Sequence, residues 1–201
     1  MSRRPGPLHM TISPSHRFVW YRVAKVGTRS ILGMLDAAGV EHFDSDLRAR
    51  SMWLYRLGRY RGYYAFAFVR NPWDRLVSSW ADKVVDTNLF GFDAAALAEF
   101  RSSFGAFVRW VASVEDIDRA NRHIRPMSAL IDLAAVDFVG RMESFGDDIR
   151  AVASRLDIDV AAVAHRNASQ RSDYRSYYDD ETRGIVADVY ARDIDGFGYS
   201  F

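Results

Sequence analysis

The segment from Arg17 to Ile31 combines the pattern of a buried strand with a tight turn and the start of a helix. Residues 18–23 are β-branched and aromatic, which is typical of a short strand inside a sheet. Residues 31–35 place apolar side chains at helical spacing, and Gly27 lies between the two segments. A strand that passes through a glycine turn into a helix predicts an α/β fold.

The turn of this unit is rich in groups that bind anions. The N–H groups of a first helical turn have no partner inside the helix, and the helix dipole adds partial positive charge there. Lys25 and Arg29 add full charges, and Thr28 and Ser30 add hydroxyl groups. Residues 25–30 are therefore predicted to bind a phosphate-like group, although a plain helix-capping turn is the structural alternative. The segment is not a Walker A loop, because its lysine precedes the glycine.

The overall composition is that of an ordinary globular protein. The chain has 201 residues, of which 49% are hydrophobic and 26% are charged, enough for one domain with a sizeable core. The net charge of +1 argues against bulk nucleic-acid binding. There is no cysteine, which excludes disulfides, a thiolate nucleophile and cysteine-based metal sites and fits a cytoplasmic location.

The two ends of the chain differ in composition. Residues 1–16 contain three prolines and no apolar run, so they are expected to form a flexible leader rather than a signal peptide. Residues 17–201 are expected to form a single domain. The longest apolar run, residues 65–69, is too short to cross a bilayer, so no membrane span is expected.

A second strand–helix unit carries a second candidate anion site. Residues 63–69 are apolar throughout, as in a central parallel strand. Asn71 and Pro72 have the residue types of a helix cap and a first helical position, and the helix is predicted over residues 73–85. Enzymes that bind magnesium nucleotides usually have an acidic residue at the end of this strand, but this chain has Arg70. That favours direct binding of a phosphate, with a surface arginine beside a capped helix as the alternative.

Apolar spacing also predicts several elements outside these two units. They are a short strand over residues 40–43 and helices over residues 51–60, 92–100, 104–114, 146–156 and about 179–191.

Four blocks of this chain resemble the carbohydrate sulfotransferases that use 3′-phosphoadenosine 5′-phosphosulfate (PAPS), the second sulfotransferase family. The blocks are K-V-G-T-R-S at 25–30, R-N-P-W-D-R-L-V-S-S-W at 70–80, N-R-H-I-R-P-M followed by D-F-V-G-R-M-E-S-F within 121–145, and a closing N-A-S…F-G-Y pattern within 167–199. Ala24 stands where that family usually has proline, and Ile124 where it usually has tryptophan. The lack of an apolar anchor resembles the bacterial, cytoplasmic members.

The resemblance implies a P-loop-like, three-layer α/β fold with a central parallel sheet flanked by helices. It implies transfer of the sulfuryl group of PAPS to a hydroxyl of a carbohydrate or glycoconjugate acceptor, leaving the product PAP, without a metal. Lys25 is then a catalytic residue at the bridging oxygen of the donor. The residues implied to bind the donor are Lys25, Val26, Gly27, Thr28, Arg29, Ser30, Arg70 and Ser78.

The acceptor hydroxyl needs a general base, and the five histidines of the chain are natural candidates. His123 is preferred because it lies in a block that resembles the family. Glu143 is an alternative base, and a purely structural role for His123 is another.

Two other functions remain open from the sequence. One is a P-loop-type nucleotide kinase or a related phosphate-binding enzyme, and the other is a catalytically inert protein that binds PAP or PAPS. Within the sulfotransferase reading, a small phenolic or steroid-like metabolite is an alternative acceptor.

Overall fold

The computed structural model describes residues 6–47, 58, 60–159 and 173–201. It divides the chain into two compact units. The first comprises residues 1–69 and 127–168, and the second comprises residues 70–126 and 169–201. The helix predicted over residues 51–60, except for residues 58 and 60, and the start of the closing pattern at 167–172 lie outside the described residues. The single domain predicted over residues 17–201 stays a prediction.

Five strands of the first unit form one sheet in the order β3–β1–β2–β4–β5. Their bounds are β1 Leu8–Ser13, β2 Phe18–Tyr21, β3 Phe43–Leu47, β4 Tyr64–Val69 and β5 Phe138–Arg141. Strands β2, β4 and β5 are parallel, whereas β1 is antiparallel to both β2 and β3. The predicted α/β class with a central sheet is confirmed, and the sheet has two antiparallel strands in addition to its parallel part.

Strand β1 corrects the flexible leader predicted over residues 1–16. Residues 8–13 lie inside the sheet between β2 and β3, and the side chains of Met10 and Ile12 are fully buried. The alternating pattern L-H-M-T-I-S was the available signal, because apolar residues at every second position are typical of a strand. Two neighbouring strands satisfy the backbone groups of β1, so the nearby prolines do not keep it from forming regular structure.

All but the last helix of the described residues follow the predicted spacing closely, and the last one was not predicted from the sequence. Their bounds are α1 Thr28–Ala37, α2 Pro72–Trp80, α3 Ala94–Ser102, α4 Phe104–Ala112, α5 Phe145–Arg155, α6 Asp180–Val189 and α7 Ala191–Phe197. The predicted helix over residues 73–85 is in fact α2 followed by a π-helix at Ala81–Val85. The strand predicted over residues 40–43 lies further along the chain, as β3.

Helices α2, α3, α4, α6 and α7 belong to the second unit, which has its own apolar core. Trp73 of α2, Phe107 of α4 and Tyr190 after α6 are all buried in this cluster. The cap predicted for α2 is confirmed: the Asn71 side chain accepts the N–H of Trp73 at 3.1 Å, and Pro72 begins the helix. The cap therefore fixes the residue at which α2 begins.

Gly140 is predicted to be essential for the packing of β5 on β4. A Cβ atom at residue 140 would lie 2.6 Å from the Phe68 ring, and this ring is fully buried and packs against Phe66 and Phe145. We expect Gly140→Ala to lower the free energy of unfolding by about 1–3 kcal/mol, because the ring has little room to move. Urea denaturation would measure this change.

Gly184→Ala is the matched control for that measurement. Gly184 lies within α6, and nothing surrounds the position of its missing Cβ within 4 Å. The substitution should stabilise the protein by up to about 1 kcal/mol, because alanine favours a helix over glycine. A Gly140→Ala variant as stable as the parent would contradict the close approach of β5 to β4.

Candidate active site

The turn between β2 and α1 is built around a glycine that no other residue can replace without strain. Gly27 has a left-handed backbone with φ 78° and caps α1, and its carbonyl accepts the N–H groups of Ser30 and Ile31 at 2.9 and 3.1 Å. A Cβ at this position would lie 3.0 Å from the Met142 sulfur and 3.1 Å from the Phe145 ring. Both the backbone conformation and the packing therefore require glycine.

Lys25 is a second left-handed residue in the same turn, with φ 71°. This conformation costs a non-glycine residue about 1–2 kcal/mol. Such strain persists where the surrounding structure enforces it, and it is concentrated at functional sites. The partly buried Lys25 is one of only two lysines in a chain rich in arginine. Its ammonium group is compact enough for a point contact with a single oxygen.

The other residues of the turn either stabilise its conformation or offer groups to a ligand. The Val26 side chain is fully buried, so only its backbone can face a ligand. The Thr28 hydroxyl donates to the Val23 carbonyl at 3.2 Å, which ties the turn to the residues before it. Arg29 is exposed and Ser30 is partly buried in the first turn of α1. The turn therefore offers helix-start N–H groups with two cationic side chains, while Thr28 stabilises it from within.

Arg70 and Ser78 belong to the second unit, where Arg70 lies just before α2 and Ser78 lies within this helix. Ser78 is a buried residue of α2. The side chain of Arg70 is only 14% exposed, and its Nη2 and Nε atoms lie 2.6 and 2.7 Å from Oδ2 of Asp74. Arg70 is therefore partly buried and paired with the following helix, and its binding of a phosphate stays a prediction. A guanidinium group held by a carboxylate keeps a fixed plane, which suits the recognition of a phosphate.

The segment around His123 is held by groups from several elements of the second unit. The His123 ring Nδ1 lies 2.8 Å from Oδ1 of Asn121, which also accepts the backbone N–H of His123 at 3.1 Å. The carbonyl of Arg122 accepts from the Arg75 guanidinium at 3.0 Å. The ring of His123 thus lies on a backbone whose direction is fixed.

Two of the groups that hold this segment were not predicted from the sequence. Tyr190 donates its hydroxyl to the Ile124 carbonyl at 2.6 Å, and burial raises the pKa of this tyrosine. Burial lowers the pKa of Arg75, while the neighbouring Tyr190 and the buried Asp193 act in the opposite direction. A second arginine in the block at 70–80 was the only sequence signal. Its partners are distant in the chain, so sequence spacing could not identify them.

The predicted site residues thus belong to two separate groups. Lys25, Gly27 and their neighbours share one turn of the first unit, and Arg70, Ser78 and His123 belong to the second unit. Glu143, the alternative base, is an exposed residue after β5 in the first unit. Among the residues with described positions, the structure brings no three His, Asp or Glu side chains together in a way that could hold a metal ion.

These features define an α/β protein with a candidate anion-binding turn between a strand and a helix. A sequence model described as "Sulfotransferase family" matches residues 8–200. The chain therefore belongs to this sulfotransferase family, and the resemblance found in the sequence is confirmed at that level.

Three curated relatives show the same similarity. Human carbohydrate sulfotransferase 14 is 29% identical over 181 residues, which cover 75% of this chain and 47% of the human protein. The mouse protein of the same name is 28% identical with the same coverage, and the zebrafish (Danio rerio) protein is 26% identical, covering 74% and 48%. This chain spans about half the length of the curated relatives that it matches.

No solved structure matches this chain. Within the described residues, no helix has the length and apolar character that a membrane crossing requires.

The left-handed backbone at residue 25 can be tested by a stability measurement that does not depend on catalysis. Lys25→Gly and Lys25→Ala remove the same side-chain contacts, but only glycine relieves the strain. We expect Lys25→Gly to be more stable than Lys25→Ala by about 1 kcal/mol in denaturant unfolding. Equal stability of the two variants would contradict a left-handed conformation at this residue.

Proposed function

We propose that this chain transfers the sulfuryl group of PAPS to a hydroxyl of a carbohydrate or glycoconjugate acceptor. The observation that carries the proposal is the turn at residues 25–30, where two left-handed residues precede the start of α1 and Lys25 and Arg29 supply charge. The family match and the names of the curated relatives support the same activity and the same class of acceptor. A bacterial origin and a cytoplasmic location stay predictions from the sequence.

The residues present fit the donor that we propose. PAPS supplies an activated sulfuryl group, a 5′-phosphate and a 3′-phosphate, all anionic. Gly27 gives the turn its left-handed backbone at the start of α1, and the N–H groups at this helix start are donors of the right kind for an anion. Arg70, held by Asp74, and Ser78 are proposed to bind the 3′-phosphate.

In this mechanism, one residue of the chain accepts a proton and another stabilises a developing negative charge. His123 takes the proton of the acceptor hydroxyl as the acceptor oxygen bonds to sulfur. The bond from sulfur to the bridging oxygen breaks in the same displacement, and its electron pair stays with the departing PAP. Lys25 neutralises the negative charge that grows on that oxygen, and the N–H groups of the turn hold the phosphate in place. Positioning and charge stabilisation therefore supply most of the catalysis, as in phosphoryl transfer.

A metal-free titration with PAP tests the donor site directly. We expect the parent protein to bind PAP without a metal and in preference to ATP with magnesium. Arg70→Ala should weaken PAP binding about 10- to 100-fold, because it removes charge-assisted hydrogen bonds to a phosphate. Isothermal titration calorimetry in a buffer with a metal chelator would measure both affinities.

Two controls make that titration specific. Arg70→Ala leaves the Asp74 carboxylate without its arginine, so the double variant Arg70→Ala/Asp74→Asn shows how much of the loss comes from the residual negative charge. Arg150→Ala removes an exposed arginine that pairs with Asp147 in α5 and should leave PAP binding unchanged. Preference for ATP with magnesium would overturn the proposal in favour of a nucleotide kinase. Binding of neither ligand would contradict the proposed donor site.

Lys25→Ala tests the assignment of the bridging oxygen. A group that acts on charge developing in the transition state contributes to kcat more than to ground-state binding. We expect kcat to fall about 100- to 1000-fold, while the Kd for PAP changes less than about tenfold. Steady-state kinetics with a sugar acceptor, together with the PAP titration, would give both numbers. Equal losses in the two quantities would contradict the catalytic role of Lys25.

A further inference from the structure

The contact between the His123 ring and Asn121 identifies which ring nitrogen donates a proton. A carbonyl oxygen only accepts hydrogen bonds, so Nδ1, at 2.8 Å from Oδ1 of Asn121, must be the donor. The backbone N–H of His123 donates to the same oxygen at 3.1 Å. Two donors converging on one atom identify that atom as the oxygen of the amide rather than its nitrogen.

This arrangement reverses the intrinsic preference of the ring. A neutral imidazole carries one proton, so a proton on Nδ1 leaves the lone pair on Nε2. A neutral histidine side chain in water favours the other tautomer, with its proton on Nε2. The Asn121 contact therefore selects the form in which Nε2 is basic.

The backbone on both sides of the ring is held as well. Arg75 of α2 donates to the carbonyl of Arg122, and Tyr190 after α6 donates to the carbonyl of Ile124. Both donors are almost fully buried, so they hold the segment whether or not Asn121 is present. Asn121 itself is exposed, and its side chain is dispensable for the core.

We propose that Asn121 is a positioning residue that fixes the His123 ring in the tautomer with its lone pair on Nε2. This inference rests on the proposed function, in which His123 is the general base. The acceptor proton then passes to Nε2, while Nδ1 keeps its own proton on the Asn121 oxygen. An asparagine is suited to this role, because its neutral oxygen orients the ring without adding a charge.

Nitrogen NMR of the full chain tests the tautomer independently of activity. The long-range ¹H–¹⁵N spectrum of the ¹⁵N-labelled protein, recorded at about pH 9, where a histidine ring of ordinary pKa is neutral, distinguishes a protonated nitrogen from one with a lone pair. The His123 signals are those lost in His123→Gln. We expect a protonated Nδ1 in the parent protein and a shift towards protonated Nε2 in Asn121→Ala.

Kinetics of the same variants test the consequence for catalysis. We expect Asn121→Ala to lower kcat about tenfold or more, with little change in the KM for PAPS. Asn121→Asp keeps an oxygen acceptor, so it should keep the parent tautomer in the NMR spectrum at about pH 9. If Asn121→Ala folds poorly, Asn121→Asp still provides a test, because a proton on Nε2 in this variant would contradict the role of the oxygen at residue 121.

Asn88→Ala is the matched control for a lost loop contact. Asn88 is an exposed asparagine whose side chain bonds the N–H and the carbonyl of Phe92 at 3.0 and 2.8 Å. Its loss should lower stability without moving the His123 signals or kcat.

The outcomes separate this inference from the proposed function. A parent ring with its proton on Nε2, or an Asn121→Ala ring that keeps its proton on Nδ1, overturns the inference even if His123→Gln is inactive. A His123→Gln variant with normal kcat overturns the general-base assignment and with it the catalytic use of Asn121. The spectra then still decide whether Asn121 sets the tautomer.

Discussion

The described part of the first unit depends on one constraint, the absence of a side chain at residue 27. The chain must turn there with a left-handed backbone, and Met142 and Phe145 fill the space that a Cβ would need. The same contact joins the start of α1 to the residues that follow β5. This close approach therefore holds the helix start and the candidate anion site against the residues that follow β5.

The second unit uses buried hydrogen bonds where the first uses close packing. Arg75 and Tyr190 are buried polar residues, and each donates to a carbonyl next to His123. Leaving the buried Ile124 carbonyl without its donor would cost about 1–3 kcal/mol, because a buried acceptor needs a partner. These two contacts explain how a segment with no regular secondary structure keeps the backbone on both sides of His123 in place.

Local signals predicted most of the fold, and long-range contacts account for what was missed. The strand at β4, the Asn71 cap and helices α3 and α4 each have a signal within about ten residues, and all were found. Strand β1 was missed because the prolines on either side outweighed its alternating pattern. In the candidate site, the turn at 25–30 was visible in the sequence. The roles of Arg75 and Tyr190 were not, since their partners lie 47 and 66 residues away.

The π-helix at Ala81–Val85 has a consequence for how this chain is compared with its relatives. Its backbone bond runs from the N–H of Asp86 to the carbonyl of Ala81, five residues back, so the turn holds one more residue than an α-helix would. A relative without that residue would continue α2 as an ordinary helix. A one-residue gap in an alignment near residues 81–85 would then mark a change of helix type rather than a shortened loop.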